Sequence, residues 1–338
     1  MSPAALRPWI VGVVLVAFGV VAPALFTEYY LGSIITQALW LGIAASSLIF
    51  LAAYGGWVSL GQTGLYGIAG FTMANLVRAD GGSPEAWNPW LAVIAAMIVT
   101  VAVGLLLGAV SSRSEGIYFL MLTLAFSVIV TLFFEKVTSL SGFGGVNNVD
   151  RPDLIGNPVQ DPTRLYYVAL VCAVLVYLLI RYVIRTPFGI AFAGVRDNPT
   201  RMRALGFNVA LHRTLAFGFG AFVASIAGVL AVWWNSSISP GAIEIDTVID
   251  LLVIAVIGGL YRIEGAWIGA FVYVILDNAP RQIDLIGARF NTFIGLVFLA
   301  IVVLSPGGLA GIYEQARSHV QRTRGRSVDD AAIGGTGS

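Results

Sequence analysis

The chain has 338 residues, of which 58% are hydrophobic and only 11% charged, and its mean hydropathy is +0.86. Lysine and arginine (19) nearly balance aspartate and glutamate (18), for a formal net charge of +1. A soluble domain carries about 25% charged residues, so this chain cannot cover a water-facing surface, and its apolar surface must face lipid.

Apolar runs of about 20 residues cross the hydrocarbon layer as helices. Ten such runs occur, at 9–26, 32–53, 62–77, 90–110, 117–134, 165–184, 214–234, 248–260, 265–277 and 290–305. The first follows Arg7 and ends in Ala22-Pro23-Ala24, as a signal peptide does, but the many spans behind it make it a true helix. Runs 62–77, 248–260 and 265–277 are short for a full crossing, which suggests re-entrant or broken helices and a count of eight to ten. The expected fold is all-α, a polytopic transmembrane helical bundle. Five helices plus five would set two halves in inverted orientation, although the halves share no convincing sequence match. With the N-terminus in the cytoplasm, thirteen of the nineteen basic residues fall inside and six outside. That asymmetry places both termini in the cytoplasm. Eight Trp and twelve Tyr suit aromatic belts at the two interfaces.

The transmembrane domain is expected over 1–313, with a cytoplasmic loop at 185–213. A basic, then flexible tail follows over 314–338. An outer loop at 135–164 holds Ser141-Gly142-Phe143-Gly144-Gly145 and Asn147-Asn148, which read as a flexible polar turn. Cys172, the single cysteine, forms neither an internal disulfide nor a thiolate metal site. His212 and His319 fall in polar segments. Asp250, Arg262, Glu264 and Asp277 sit at the ends of apolar runs, so a proton- or sodium-driven engine is poorly supported. A phosphate-binding loop needs a lysine after a glycine-rich turn. The one lysine, Lys136, lies in Glu135-Lys136-Val137 with no such turn before it. No HExxH, GxSxG or cysteine–histidine cluster occurs either, so no catalytic, cofactor-binding or metal-binding residue is assigned.

Within the inner loop, Asn198 suits an N-cap, Pro199 the first helical position and Gly206 the position after the last turn. They predict a helix of about two turns, apolar at Met202 and Leu205 and cationic at Arg201 and Arg203. Ala216, Gly220, Ala224 and Gly228 make a small-residue face on one helix. Gly64, Gly67, Gly70 and Ala74 make a second, after Ser59-Leu60-Gly61-Gln62, and Gly265 with Gly269 a third. Such faces serve tight packing or line a solute path. Gly258-Gly259 opens a break of the kind that marks transport sites. The path or packing candidates are therefore Ser59, Gly61, Gln62, Gly64, Gly67, Gly220, Ala224, Gly258 and Gly259.

Several segments together resemble the LivM-type permeases of bacterial branched-chain amino-acid ABC importers. They are Leu51-Ala52-Ala53-Tyr54-Gly55-Gly56-Trp57-Val58-Ser59-Leu60-Gly61-Gln62, Arg113-Ser114-Glu115-Gly116-Ile117-Tyr118-Phe119 with Thr123-Leu124-Ala125-Phe126, Arg185-Thr186-Pro187-Phe188-Gly189 with Arg196-Asp197-Asn198 and Ala204-Leu205-Gly206, Ile257-Gly258-Gly259-Leu260, and Ser305-Pro306-Gly307-Gly308-Leu309-Ala310-Gly311. Trp57 stands where the family usually has glutamine, Gln62 where it has histidine, and Asp197-Asn198-Pro199 where Glu-Asn-Glu is common. The resemblance implies a non-enzymatic transport subunit in the bacterial inner membrane. Its partners would be a second, LivH-like permease, two cytoplasmic ATP-binding subunits that carry the ATP and magnesium, and an extracytoplasmic solute-binding protein. No nucleic acid is expected. It further implies that the ATPases couple through Pro187, Phe188, Gly189, Arg196, Asp197, Asn198, Arg201, Arg203, Leu205 and Gly206. The same family takes up urea, short amides and other amino acids, so the substrate stays open. A stand-alone facilitator or channel is the alternative that likewise needs no nucleotide site.

Overall fold

The computed structural model describes residues 30–77 and 87–278 apart from 143, 153–154 and 157–160, with the isolated residues 19, 23, 27 and 295. Apart from residues 19, 23 and 295, the expected helices 9–26 and 290–305 lie outside the described residues, as do the tail, His319 and the Ser305–Gly311 motif. The other eight apolar runs are all helices. They are α1 (Leu31–Gly55), α2 (Gln62–Val77), α3 (Pro89–Ser111), α4 (Ile117–Lys136), α5 (Pro162–Arg185), α8 (Val209–Asn235), α9 (Ile245–Gly258) and α10 (Ile263–Asn278). Two shorter helices, α6 (Pro187–Asp197) and α7 (Pro199–Ala204), join α5 to α8. No strand occurs among the described residues, only one isolated bridge between Val146 and Ile238.

Five helices (α1, α3, α4, α5 and α8) are long and apolar enough to cross a membrane. They differ in depth. The apolar windows of α1 and α8 are 78% buried, against 33% for α3 and α4 and 22% for α5, so α1 and α8 form the core and the others present broad apolar faces outward. Packing around α8 follows from small residues. A Cβ on Gly104 of α3 would stand 2.3 Å from Ala221 Cβ, and one on Gly228 would stand 2.3 Å from the Tyr66 carbonyl of α2. Without side chains at these points, the helix backbones approach closely and bury the apolar flanks around them.

The three short runs are 14 to 16 residues long. At 1.5 Å per residue they rise about 21–24 Å, less than the hydrocarbon thickness of about 30 Å. α9 and α10 form a tight helical hairpin in which Gly258 and Gly269 lie directly against backbone of the opposite helix. α10 packs on α1, while α2 fills the space between α3, α4 and α8. α1 itself opens and closes with a wider, π-helical turn, at Leu31–Ile35 and Leu51–Gly55.

The outer loop is less free than its glycines suggest. Val146 exchanges two backbone hydrogen bonds with Ile238, of 2.8 and 2.9 Å, and Val149 N–H donates to the Ser236 carbonyl. Arg151 donates to Ser236 Oγ, and burial holds its pKa below the ordinary arginine value. Gly145 has φ +120° and sits where a Cβ would meet the Ile238 carbonyl at 2.6 Å, so glycine there permits the docking of the loop.

Candidate functional site

The α5–α8 connection is built on repeated capping grammar. Thr186 Oγ1 accepts from Gly189 N–H with Pro187 at the first helical position, which starts α6. Asn198 Oδ1 accepts from Arg201 N–H at 2.9 Å with Pro199 next, which starts α7. Asn208 Oδ1 accepts from Leu211 N–H at 3.1 Å, which starts α8. α7 ends as its sequence requires: Gly206 N–H bonds the Arg203 carbonyl, Phe207 N–H bonds the Met202 carbonyl, and Gly206 takes φ +88°. The predicted short helix is therefore present. α6 was not foreseen within the loop, and residues 209–213 belong to α8.

α6 is the mount for α7. Phe192 is fully buried between Phe50 and Phe188, both stacked with it, and Trp57, which meets it edge-on. Phe188 also stacks on His212, with ring centroids 5.7 Å apart, joining α6 to α8. Arg196 donates from Nη1 to the Ala53 carbonyl at 2.5 Å, capping the wide last turn of α1, and pairs through Nη2 with Asp197 at 2.9 Å. Its stem crosses Gly56, which has φ +76° and where a Cβ would lie 2.7 Å from Arg196 Cγ. Gly189, inside α6, packs so closely on the end of α5 that a Cβ would stand 2.4 Å from the Val183 carbonyl. α7 by contrast has no buried residue, and it ends at Leu205, which is 64% exposed. Arg201 and Arg203 are exposed beside it.

The same end of the bundle holds two ionic clusters that sequence reasoning missed. Arg213, only 5% exposed, donates to the Ser112 carbonyl at 2.8 Å and to Glu115 Oε1 at 3.1 Å, and its guanidinium lies 4.4 Å from the Trp57 ring centroid. The N-cap at Asn208 was the available signal, because it puts residue 213 inside a helix rather than in a loop. Glu264, in the first turn of α10, pairs with Arg181 at 3.3 Å and accepts from the Tyr177 hydroxyl at 3.0 Å. The α3–α4 turn, the end of α1, α6 and α7, and the α9–α10 turn thus share one face.

The small-residue candidates fall at packing contacts. Gly61 and Gly64 meet Leu107 and α4, Gly67 meets Ile243, and Ala224 is buried. Gly258 packs on Gly265, and Gly259 has φ +109° in the turn. Ser59 Oγ accepts from Gly61 N–H. α4 contributes a ladder of hydroxyls that was not anticipated. Thr123 accepts from Leu60 N–H at 3.2 Å, Ser127 accepts from Gly64 N–H at 3.3 Å and donates to the Leu60 carbonyl, and Thr131 donates to the Ile243 carbonyl. Spaced by four, they tie α4 to Leu60, to Gly64 in the first turn of α2, whose amides have no partner within the helix, and to Ile243. Gln62 differs from its neighbours. It is 1% exposed, neither amide atom is hydrogen-bonded among the described residues, and the amide lies 3.6–3.7 Å from where a Gly220 Cβ would stand.

A family model described as "Branched-chain amino acid transport system / permease component" matches residues 30–302. The chain belongs to this family. The permease is 27% identical over 288 residues to the high-affinity branched-chain amino acid transport system permease protein LivM of Salmonella typhimurium, covering 78% of this chain and 64% of that protein. It is 27% identical over 234 residues to a probable LivM of Methanocaldococcus jannaschii, covering 65% and 67%. It is also 24% identical over 296 residues to the ribose import permease RbsC of Escherichia coli K12, covering 84% and 86%. The permease thus spans 64% of the length of the Salmonella LivM protein. No solved structure matches it. Family and fold together make it a multi-pass membrane permease of the LivM type.

Proposed function

We propose that the permease forms half of the translocation path of an ATP-driven importer in the bacterial inner membrane, and that α6 and α7 are where a cytoplasmic ATPase attaches. The observation that carries this is the contrast between the two helices. α7 is capped at both ends yet buries nothing, while α6 is locked to the end of α1 through Phe192 and Arg196. A helix of six residues is marginal alone in water and gains from a partner surface. Force applied to α7 reaches α1 through α6 without crossing a flexible linker. The arginines of the α3–α4 turn, α6, α7 and the α9–α10 turn share this face, which is the cytoplasmic one by the positive-inside rule.

On this reading ATP and magnesium are held by two ATPase partners, a LivH-like chain completes the path, and a solute-binding protein docks at the opposite end. The permease domain runs to residue 313, and the basic tail beyond it lies in the cytoplasm. Branched-chain amino acids are the proposed substrates, by likeness to LivM. The likeness to a ribose permease over more of the chain keeps other small polar solutes as the second reading.

The test is a reconstituted importer carrying Arg201→Glu and Leu205→Asp together. Loss of two interface anchors lowers binding-protein-stimulated ATP hydrolysis by about tenfold, with the thermal midpoint of the permease unchanged. Full stimulation in the variant, or solute flux through the permease alone, would overturn the assignment. A ligand screen on the cognate binding protein decides the substrate.

A further inference from the structure

We infer that a basic pocket between α3, α4, α7 and α8 binds the phosphate headgroup of an anionic phospholipid. The pocket encloses about 410 Å³ between the α3–α4 turn and the α7–α8 corner. Three guanidinium groups, of Arg113, Arg203 and Arg213, and a single carboxylate, of Glu115, line it. Glu115 is already committed to Arg213. Arg113 and Arg203 are exposed, and neither forms an ion pair among the described residues. Arg213 is buried, its Nη groups already bonded to Ser112 and Glu115 and its Nε without a partner among the described residues, and the start of α8, at Asn208–Ala210, closes the wall. A helix N-terminus with arginine forks around it favours a phosphate group over other anions.

The surroundings point to lipid as the source of that phosphate. On α3, α4 and α8, three of the helices whose ends line the pocket, Leu106, Val110, Ile117, Tyr118, Leu211 and Leu215 are large, apolar and exposed. They provide a surface for acyl chains along the helices that lead from the charged cavity, which lies at the end of the membrane-spanning segments. Basic pockets between transmembrane helices at this level recognise anionic headgroups. Because Arg203 belongs to α7 and Arg113 to the α3–α4 turn, a headgroup held by both would tether α7 to the bundle. The inference rests on the membrane placement of these helices and not on attachment of an ATPase to α7.

The test uses the full chain in detergent and native mass spectrometry, with phosphatidylglycerol, phosphatidylcholine and glycerol phosphate offered in turn. Two basic contacts predict retention of phosphatidylglycerol over phosphatidylcholine by about tenfold or more. The exposed pair Arg113→Gln and Arg203→Gln should bring that preference to near parity, whereas Arg185→Gln with Arg201→Gln, on the same face but outside the pocket, should leave it intact. Equal retention of the two lipids by the unaltered chain would overturn the proposal, as would an unchanged preference in the pocket variant. An equal loss in the control pair would trace the preference to surface charge and overturn it too. Binding of glycerol phosphate as tight as that of the lipid would reassign the pocket to a soluble phosphate. Loss of a cytoplasmic ATPase from the pocket variant, with lipid retention unchanged, would reassign it to a protein partner.

Discussion

Gln62 combines near-complete burial with an amide that has no hydrogen-bond partner among the described residues, and both features have a cost. An unpaired buried amide forfeits about 1–3 kcal/mol of desolvation free energy. Gly220 faces it across the helix contact, where a Cβ would lie at van der Waals distance, 3.6–3.7 Å, from the amide. Gln62 is among the path candidates proposed from the sequence, and an amide able to donate and accept suits contact with a polar solute. Gln62→Leu, of similar volume, should therefore stabilise the permease by about 1–3 kcal/mol in chemical denaturation. Uptake by the intact importer should fall in the same variant. Stabilisation with undiminished uptake would remove Gln62 from the path and leave it a packing residue.

The helices show how local chemistry supports tertiary packing, and the α4 ladder is the clearest case. Thr123 and Ser127 provide acceptors for Leu60 and Gly64 N–H groups at the start of α2. Replacing them with Val and Ala strands two backbone donors, and the double variant should lose about 2–4 kcal/mol. Thr100→Val supplies the contrast, because the Thr100 hydroxyl is buried and has no partner among the described residues, so its removal should cost nothing or stabilise slightly. A denaturation midpoint measured for both variants separates the two cases. Equal losses would show that volume and not hydrogen bonding governs these sites.

The ladder also marks where sequence reading stops. Hydroxyls at i, i+4 and i+8 inside an apolar run look like tolerated small residues, because their partners lie more than sixty positions away in the chain. α7 was legible, since Asn198, Pro199 and Gly206 each meet a local backbone demand. α6 used the same grammar at Thr186-Pro187. Its apolar positions Phe188, Ala191, Phe192 and Val195 have helical spacing, but their burial depends on α1, which no local pattern reveals. Arg213 was misplaced for a related reason. A charge seven positions from Gly206 reads as part of a basic loop until the helix that begins at Asn208 carries it against Trp57.

At the scale of the molecule, hydropathy set the helices to within a few residues because lipid demands continuous apolar stretches whose backbone groups bond internally. Which helices sit in the middle was less visible, since α3 is more apolar than α1 or α8 yet lies outside them. Small residues decide this, because Gly220, Ala224 and Gly228 let α8 be surrounded closely where bulkier faces must turn to lipid. The bundle accordingly has two unlike ends. One gathers α6, α7 and the arginines around Arg213, and the other carries the Val146–Ile238 bridge. Cys172 makes their orientation testable, because it is the single cysteine and Cys172→Ser leaves a background for reporters. In right-side-out spheroplasts, a membrane-impermeant maleimide should label Asn147→Cys at once. Arg201→Cys should react only after permeabilisation, since its end carries most of the arginines and the positive-inside rule sets it in the cytoplasm. The reverse pattern would turn the bundle over and detach α7 from any cytoplasmic engine.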